Sequence, residues 1–513
     1  MSIYEPLEPS DGRRVLQLRS PITLEPTGTL ICANQADVDA ALQKARAAQP
    51  AWAALSFKER AGYMKKALKV LMDRSDDVVE TVVGETGKAR GDAFTMEVWA
   101  SCDFLCYYAK NAEKFLKPQK KRVHGVLGIT KSVKIIHKPL GVAGVIVPWN
   151  GPFVLALNPA VQAMMAGNTV LIKGSEVTPY STKLVEEIFQ QAGLPEGVLQ
   201  VLMGDGETGA HLCAAGVDKI SFTGSVRTGQ RVAEECARRL IPCTLELGGK
   251  DAMIVLEDAD LDRAAAGAII GSCMNTGHYC CGTERIYVVD QVYDAFLAKV
   301  VDGVKALRQG AELGYEEDVG AVFWDRQMTI IEDHVEDAKA RGATIHVGGR
   351  RNPDLKGLYY LPTVMSGVDH DMKIMREETF GPVLCIQRVQ DEAEALRLAN
   401  DSQYGLHGNV WSRDTARAVR LAEQIHTGGV SINDMAVGYG VPAAPFGGVK
   451  ESGLGRVNGE AGIRSYTHTV PIIIERFGGK NLPAGYPHTD KKVKGMQKFM
   501  RLLWGTPLGW WMS

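Results

Sequence analysis

From Asp37 to Arg74, small and apolar residues recur at helical spacing between charged ones, a pattern that predicts a pair of amphipathic scaffold helices. The pattern then changes. Residues 142 to 147 (VAGVIV) and 169 to 172 (TVLI) are short β-branched runs, and LALNPAVQAMMAGN between them reads as a helix closed near Gly167. Strand, helix and strand in that order form a β-α-β unit with a parallel sheet. A further helix follows the Pro179 turn, with Leu184, Val185, Ile188 and Ala192 on one face and Gly193 at its end. The strand VLQVLM at 198 to 203 comes next. After about residue 250 the alternation restarts, with ERIYVV at 284 to 289 and PVLCIQRV at 382 to 389, so a second α/β domain is expected. The alternating segments KSVKIIHKPL at 131 to 140 and TVPIIIERF at 469 to 477 fit neither domain and predict an accessory sheet. Its exposed edge invites pairing with another subunit. No internal repeat or low-complexity tract interrupts this order.

Composition narrows the class. A chain of 513 residues is too long for one core, and 45% apolar residues, 23% charged residues and 55 glycines describe a turn-rich globular α/β protein. The formal net charge of −2 offers no basic face able to displace counterions from nucleic acid, so a small molecule is the expected partner. The ten cysteines, at 32, 102, 106, 213, 236, 243, 273, 280, 281 and 385, lack the paired CxxC spacing of a zinc site. No metal is expected, and thiols in a reducing compartment explain them better than disulfides. The start MSIYEPLEPSDGRR lacks the basic and apolar run of a secretory signal, and no stretch reaches the ~18 apolar residues of a membrane span. A cytoplasmic protein is expected.

The segment Asn275-Thr276-Gly277-His278-Tyr279-Cys280-Cys281-Gly282 presents a thiol in a glycine-punctuated turn. On its own such a cysteine reads as structural. Two other segments change that reading: LELGGK at 245 to 250 offers Glu246, and PWNGPF at 148 to 153 offers Asn150. A thiol, a carboxylate and an amide are the groups that acyl transfer through a thioester requires.

The chain resembles the aldehyde dehydrogenase superfamily over roughly residues 20 to 475. The likeness rests on PWN at 148 to 150, LIKGSE at 171 to 176, FTGSVRTG at 222 to 229, LELGGK at 245 to 250, the NTGHYC run ending at Cys280, EETFGPV at 377 to 383 and PFGGVKESGLGR at 445 to 456. Seven such segments in order are beyond coincidence. The resemblance implies a doubly wound NAD-binding domain from 1 to 118 and 140 to 247, and an α/β catalytic domain from 248 to 445. It adds oligomerisation strands at 119 to 139 and 465 to 480, with a basic and aromatic extension at 481 to 513. A homodimer or homotetramer follows from it. It makes Cys280 the nucleophile, Glu246 the base that activates water on the thioester, and Asn150 with the Cys280 backbone N–H the oxyanion donors. Glu246 argues against resolution of the thioester by an added thiol such as CoA. Lys173 and Glu176 are placed on the adenosine ribose, where a carboxylate favours NAD over NADP by repelling a 2′-phosphate. Gly224, Ser225 and Gly229 would let backbone approach the pyrophosphate at a helix N-terminus. Glu378 and Phe380 would position the nicotinamide end, with Ile146, Pro148, Trp149 and Leu247 completing the cofactor site. Gly204-Asp205-Gly206-Glu207-Thr208-Gly209 also matches the dinucleotide fingerprint GxGxxG. The resemblance puts this loop, with Gly206 and Gly209, beside the adenine instead.

Departures from the family pattern concern the aldehyde tunnel, for which Gly151, Val154, Tyr279, Cys281 and Phe446 are the expected lining. Gly151 and Asn158 replace aromatic residues of other members and should enlarge or rewet the tunnel. His278 reads as a satisfied polar residue under the loop. Glu284-Arg285 resembles the branch near succinic semialdehyde and carotenoid-dialdehyde dehydrogenases. No cluster of arginines stands ready for a second carboxylate, so an apolar, aromatic or extended aldehyde is expected. The segment from Lys491 to Ser513 mixes five lysines and arginines with Phe499, Trp504, Trp510 and Trp511, which suits either peripheral membrane contact or packing over a tunnel mouth. Two other readings of the whole chain stay open here: a cysteine hydrolase without redox chemistry, and an inactive binding protein on a dehydrogenase scaffold.

Overall fold

The two helices expected between Asp37 and Arg74 form as Gln35–Ala54 and Phe57–Asp73 in a computed structural model that describes residues 2–310, 314–435, 437–478 and 485–512. Each begins at a capping box: Asn34 and Asp37 exchange bonds at the first, Ser56 and Glu59 at the second. Before them lies a three-stranded antiparallel sheet, Tyr4–Ser10, Arg13–Arg19 and Pro26–Ile31, which the hydrophobic pattern did not predict. Its alternation is weak because Tyr4–Ser10 is almost wholly exposed.

The chain divides into two units, Met1–Ala112 with Pro139–Tyr466, and Glu113–Lys138 with Thr467–Ser513. The first unit is α/β and holds, besides the N-terminal antiparallel sheet, two mostly parallel sheets. In one, the strands run in the order Gly453–Leu454, Cys243–Glu246, Lys219–Thr223, Val142–Ile146, Thr169–Lys173, Leu199–Leu202. Four of the five neighbouring pairs are parallel, and the inner strands are buried on both faces, which is why they read as unbroken apolar runs. Helix Val154–Met165 lies between the first two strands in sequence, and Gly167 beyond it takes a φ of +92°. Helix Pro179–Gln191 follows with proline in its first turn. The sixth strand is a finding: Gly453–Leu454 returns from beyond the second sheet to pair antiparallel with Cys243–Glu246, setting Gly453 opposite Glu246. Gly453–Leu454, which fall in a stretch left out of the domains expected from sequence, thereby join the first sheet.

The second sheet has seven strands, ordered Thr344–Val347, Thr363–Ser366, Val383–Val389, Thr283–Val289, Asp251–Val255, Gly408–Trp411, Ser431–Ile432. All pairs but the outermost, Thr344–Val347 on Thr363–Ser366, are parallel. Apolar side chains pack on both of its faces, Ile254, Tyr287 and Met365 on one and Met253, Ile286 and Leu384 on the other.

The second unit contains a three-stranded sheet ordered Thr467–Glu475, Lys131–Pro139, Gln119–Lys121, and then helices Asp490–Trp504 and Pro507–Met512. Both alternating segments singled out in the sequence are strands of this sheet. Residues 479 to 484, Ser513 and the side chain of Trp511, which fall in the expected oligomerisation segment and extension, lie outside the described residues.

Candidate active site

The parallel strands of the first sheet end in a row with Ile146, Lys173, Thr223 and Glu246 at their carboxyl ends, the edge at which open α/β sheets bind ligands. Ile146 and Leu247 are buried in the core beneath, while Pro148 and Trp149 are half-buried just beyond the edge. The Trp149 ring stands edge-on to His278, Phe323, Trp324 and Phe380.

Two of the helices that follow these strands, Gly206–Ala214 and Val226–Arg239, differ at their N-termini. At Gly206–Ala214 the Asp205 carboxylate accepts the N–H groups of Glu207 and Thr208 and is ion-paired to Arg14 at 2.8 Å. A phosphate has no place where a carboxylate already sits. At Val226–Arg239 the cap residue Ser225 makes no side-chain capping bond and donates to Thr228 Oγ1 instead. Gly229 lies one turn in, its amide bonded to Ser225 O. An added Cβ there would come within 2.4 Å of Leu247, so this glycine serves helix packing. Lys173 and Glu176 approach at 3.6 Å, Gly209 lies beside the Lys173 stem, and Gly206 faces open space. An open helix N-terminus, a carboxylate and an ammonium in one row form a donor set that fits a dinucleotide.

The Cys280 loop is held in a strained conformation. Asn275 and Thr276 both adopt φ 56°, ψ 30°, and Gly277 follows at φ 75°. For a β-branched residue such as Thr276 that geometry is costly and persists only when neighbours impose it. They do so here: Asp92 accepts the Asn275 N–H at 2.7 Å, and the Asn275 amide donates to Asn150 O and His278 O. A side chain at Gly277 would strike Gly381 at 2.1 Å, so only glycine admits this approach. Asn150 Nδ2 donates to His278 O at 3.0 Å, which uses one of its two hydrogens.

Beneath Asn150 lies a buried ion pair. Lys88 Nζ donates to Glu97 Oε1 at 2.6 Å and to Asn150 O at 3.0 Å, and Glu97 Oε2 accepts the N–H groups of Phe153 and Val154. Glu97 sits in a π-helical turn, Ala93–Trp99. His278 is also satisfied: Nε2 accepts the Phe323 N–H, so Nδ1 donates to Phe380 O, and burial lowers its pKa to about 3.

The thiol side of the loop is different. The Cys280 pKa stands well above its ordinary value through its hydrogen bond to Cys281, burial, and the nearby Glu246 and Asp251 carboxyls. Glu246 is buried, and neither of its oxygens has a hydrogen-bond partner among the described residues. Burial raises its pKa well above the carboxylate range, opposed by Arg456. Asp251 is raised in the same way, with one oxygen on the His407 N–H and the other without a hydrogen-bond partner among the described residues.

Cys280 and Tyr279 pack with Cys281, Leu406, Phe446, Val457 and Tyr439. Tyr439 stands edge-on to Phe446 and Phe104, and its hydroxyl accepts from Asn158 Nδ2 at 2.8 Å. Asn158 also donates to Asn458 and accepts from Gln162, so its polar atoms are bonded within the protein. Gly151 and Val154 are buried beside Leu155, which would lie 3.2 Å from a Cβ on Gly151.

Glu378 accepts the Gly249 N–H at 2.9 Å, and burial with Glu284 nearby raises its pKa to about 8. Phe380 takes φ +49°, imposed by Glu284, which accepts the N–H groups of Thr379 and Phe380 while pairing with Lys250. Sequence reasoning passed over Lys88, Asp92, Glu97, Asp251 and Tyr439. The first three stand on a helix or just before it without motif spacing. Asp251 directly follows LELGGK, and its place at the start of a buried strand was the available signal.

The family model described as "Aldehyde dehydrogenase family" matches residues 7–472. A protein of Methylomonas sp named 4,4'-diapolycopene aldehyde oxidase is 38% identical over 487 residues, covering 95% of this chain and 91% of that one. A putative succinate-semialdehyde dehydrogenase [NADP(+)] of Mycolicibacterium smegmatis is 39% identical over 485 residues, covering 94% and 93%. The crystal structure of a Mycobacterium tuberculosis aldehyde dehydrogenase complexed with NAD+ superposes with a TM-score of 0.86 at 36% identity, covering 92% of this chain and 97% of that one.

Proposed function

The chain belongs to the aldehyde dehydrogenase family, and from that premise we propose that it oxidises an apolar, extended or aromatic aldehyde to the carboxylic acid with NAD, through a thioester on Cys280. One observation carries the chemistry: the half-buried Cys280 thiol shares its site with a buried carboxyl, Glu246, that has no hydrogen-bond partner among the described residues. Such a carboxyl has only the charge of Arg456 to favour its ionised form and no hydrogen bond among the described residues, so its lone pairs are free for a water that it can activate as a nucleophile.

Cys280 Sγ, as thiolate, adds to the aldehyde carbon. The free hydrogen of the Asn150 amide and the Cys280 backbone N–H donate to the oxygen that becomes anionic, and the strained Asn275-Thr276 turn holds both in place. When bound, the oxidised nicotinamide supplies a positive charge that favours the thiolate and an acceptor for the hydride leaving the adduct. Glu246 then takes a proton from water as that water attacks the thioester carbon, releasing the acid and restoring the thiol.

NAD is favoured because Glu176 brings a carboxylate to the end of strand Thr169–Lys173, where it would bond both ribose hydroxyls and repel a 2′-phosphate. The substrate class rests on the aromatic surroundings of Cys280, from Tyr279, Tyr439 and Phe446. The polyene aldehyde in the name of the Methylomonas relative agrees with it. Assembly as a homodimer or homotetramer is favoured by strand Thr467–Glu475, whose Ile472, Ile473 and Ile474 are exposed.

The test is NADH or NADPH formation with a panel of short, aromatic, long-chain and polyene aldehydes. Faster turnover with NAD on the long and polyene members is expected, and Cys280→Ser should lower it by at least ~1000-fold. Activated-ester hydrolysis without NADH from any aldehyde would replace this proposal with a cysteine hydrolase.

A further inference from the structure

We propose that helix Asp490–Trp504 is a docking element whose partner is the surface of an anionic lipid bilayer. The helix is well started, since Thr489 Oγ1 accepts the Lys492 N–H. With 3.6 residues per turn, Phe499, Leu503, Met496, Met500, Val493 and Trp504 share one arc of about 140°, interrupted by Lys492, whose ammonium donates to Gly485 O at 2.8 Å, and Lys491, Lys494, Lys498 and Arg501 share another arc of about 80°. Only Leu503 of the apolar arc is buried. Met496 is 61% exposed and Trp504 57%, and Trp510 in the following helix Pro507–Met512 is 72% exposed.

Charge decides the occupant. Residues 490 to 513 hold five lysines and arginines against the single carboxylate of Asp490, in a chain whose formal net charge is −2. Asp490 is paired with Lys494 at 3.0 Å. An apolar arc flanked by cations, with a tryptophan at its border, matches the boundary between acyl chains and anionic headgroups. Lysine and arginine stems can run along the apolar layer while their charges reach phosphate. The helix lies on the surface and does not cross it: 15 residues rise about 22 Å, short of a ~30 Å hydrocarbon core. No helix among the described residues is long and apolar enough to span a membrane. This inference rests on the helix alone and is independent of the aldehyde or the cofactor.

The full chain is mixed with vesicles of phosphatidylcholine alone or with added phosphatidylglycerol and sedimented. Binding to the anionic vesicles only, weakened by high salt, is expected. The variant K491Q/K494Q/K498Q/R501Q should partition several hundredfold more weakly, at roughly fivefold per cation. M496S/F499S/M500S should lose binding with its charges intact. Oxidation of a water-soluble aldehyde checks that each variant folds. Retention of the parent protein in the supernatant overturns the proposal, as does unchanged binding by the charge-neutralised variant. Loss of subunits on deleting residues 490 to 513, without any vesicle binding by the parent, would assign the helix to a second copy of this chain instead.

Discussion

Glu97 and Glu246 are both buried carboxyls beside the Asn150 and Cys280 segments, and they are treated in opposite ways. Glu97 accepts from Lys88 and from two backbone N–H groups, so its charge is matched and its lone pairs are used. Glu246 has no hydrogen-bond partner among the described residues and is pushed towards its neutral form by burial. A saturated carboxylate can hold a backbone in place but has no lone pair free for a water. A bare one does little for the fold, and its lone pairs are free for a water. The region under Asn150 thus behaves as a support, and the region facing Cys280 and Glu246 as the place where bonds change.

The largest effect should come from the bare side. Glu246→Gln keeps the shape and removes the base, so a burst of NADH in the first turnover should survive while steady turnover falls roughly 100- to 10,000-fold. The sign of the pH dependence follows from the raised pKa. Glu246 works as carboxylate, so thioester hydrolysis rises as pH climbs through that elevated value and fades as pH drops below it. A steady rate equal to the parent's in stopped-flow and steady-state assays would remove Glu246 from the mechanism.

Next in size is the support. Lys88→Met would strip Glu97 of its cation and leave it a buried carboxylate held only by the Phe153 and Val154 N–H groups, without the reacting partner that makes Glu246 useful. Removing one member of a buried pair costs about 3–5 kcal/mol, so the denaturant midpoint should fall markedly. A variant as stable as the parent would show that Lys88 is not the group holding Glu97 and Asn150 O.

The two regions were unequally legible in the sequence. Cys280, Glu246 and Asn150 lie in short motifs, and the parallel strands beneath them are continuous apolar runs, so both the residues and their sheets could be read directly. The support could not. Lys88 and Glu97 meet because residues 93 to 99 wind as a π-helix, which shifts side-chain positions off the 3.6-residue period on which pattern reading depends. The return of Gly453–Leu454 to the first sheet is two residues long and leaves no periodic trace. Tyr439 was invisible for another reason. Its meeting with Asn158 spans 281 positions, a long-range pairing that no local pattern encodes.

That pairing offers the smallest and most discriminating effect. Tyr439 packs beside Cys280, but its hydroxyl is occupied as an acceptor from Asn158, and the Asn158 amide keeps a second acceptor in Asn458 Oδ1. Tyr439→Phe therefore leaves no donor wholly stranded and should cost only about 1 kcal/mol of stability. If the ring serves as an aromatic wall, kcat should stay within roughly threefold of the parent, with any change confined to the KM for bulky aldehydes. A fall of 100-fold in kcat at unchanged stability would mean that the hydroxyl exchanges its Asn158 bond for one to the reacting oxygen. The boundary between support and chemistry would then run through Tyr439 and would no longer stop at Glu246.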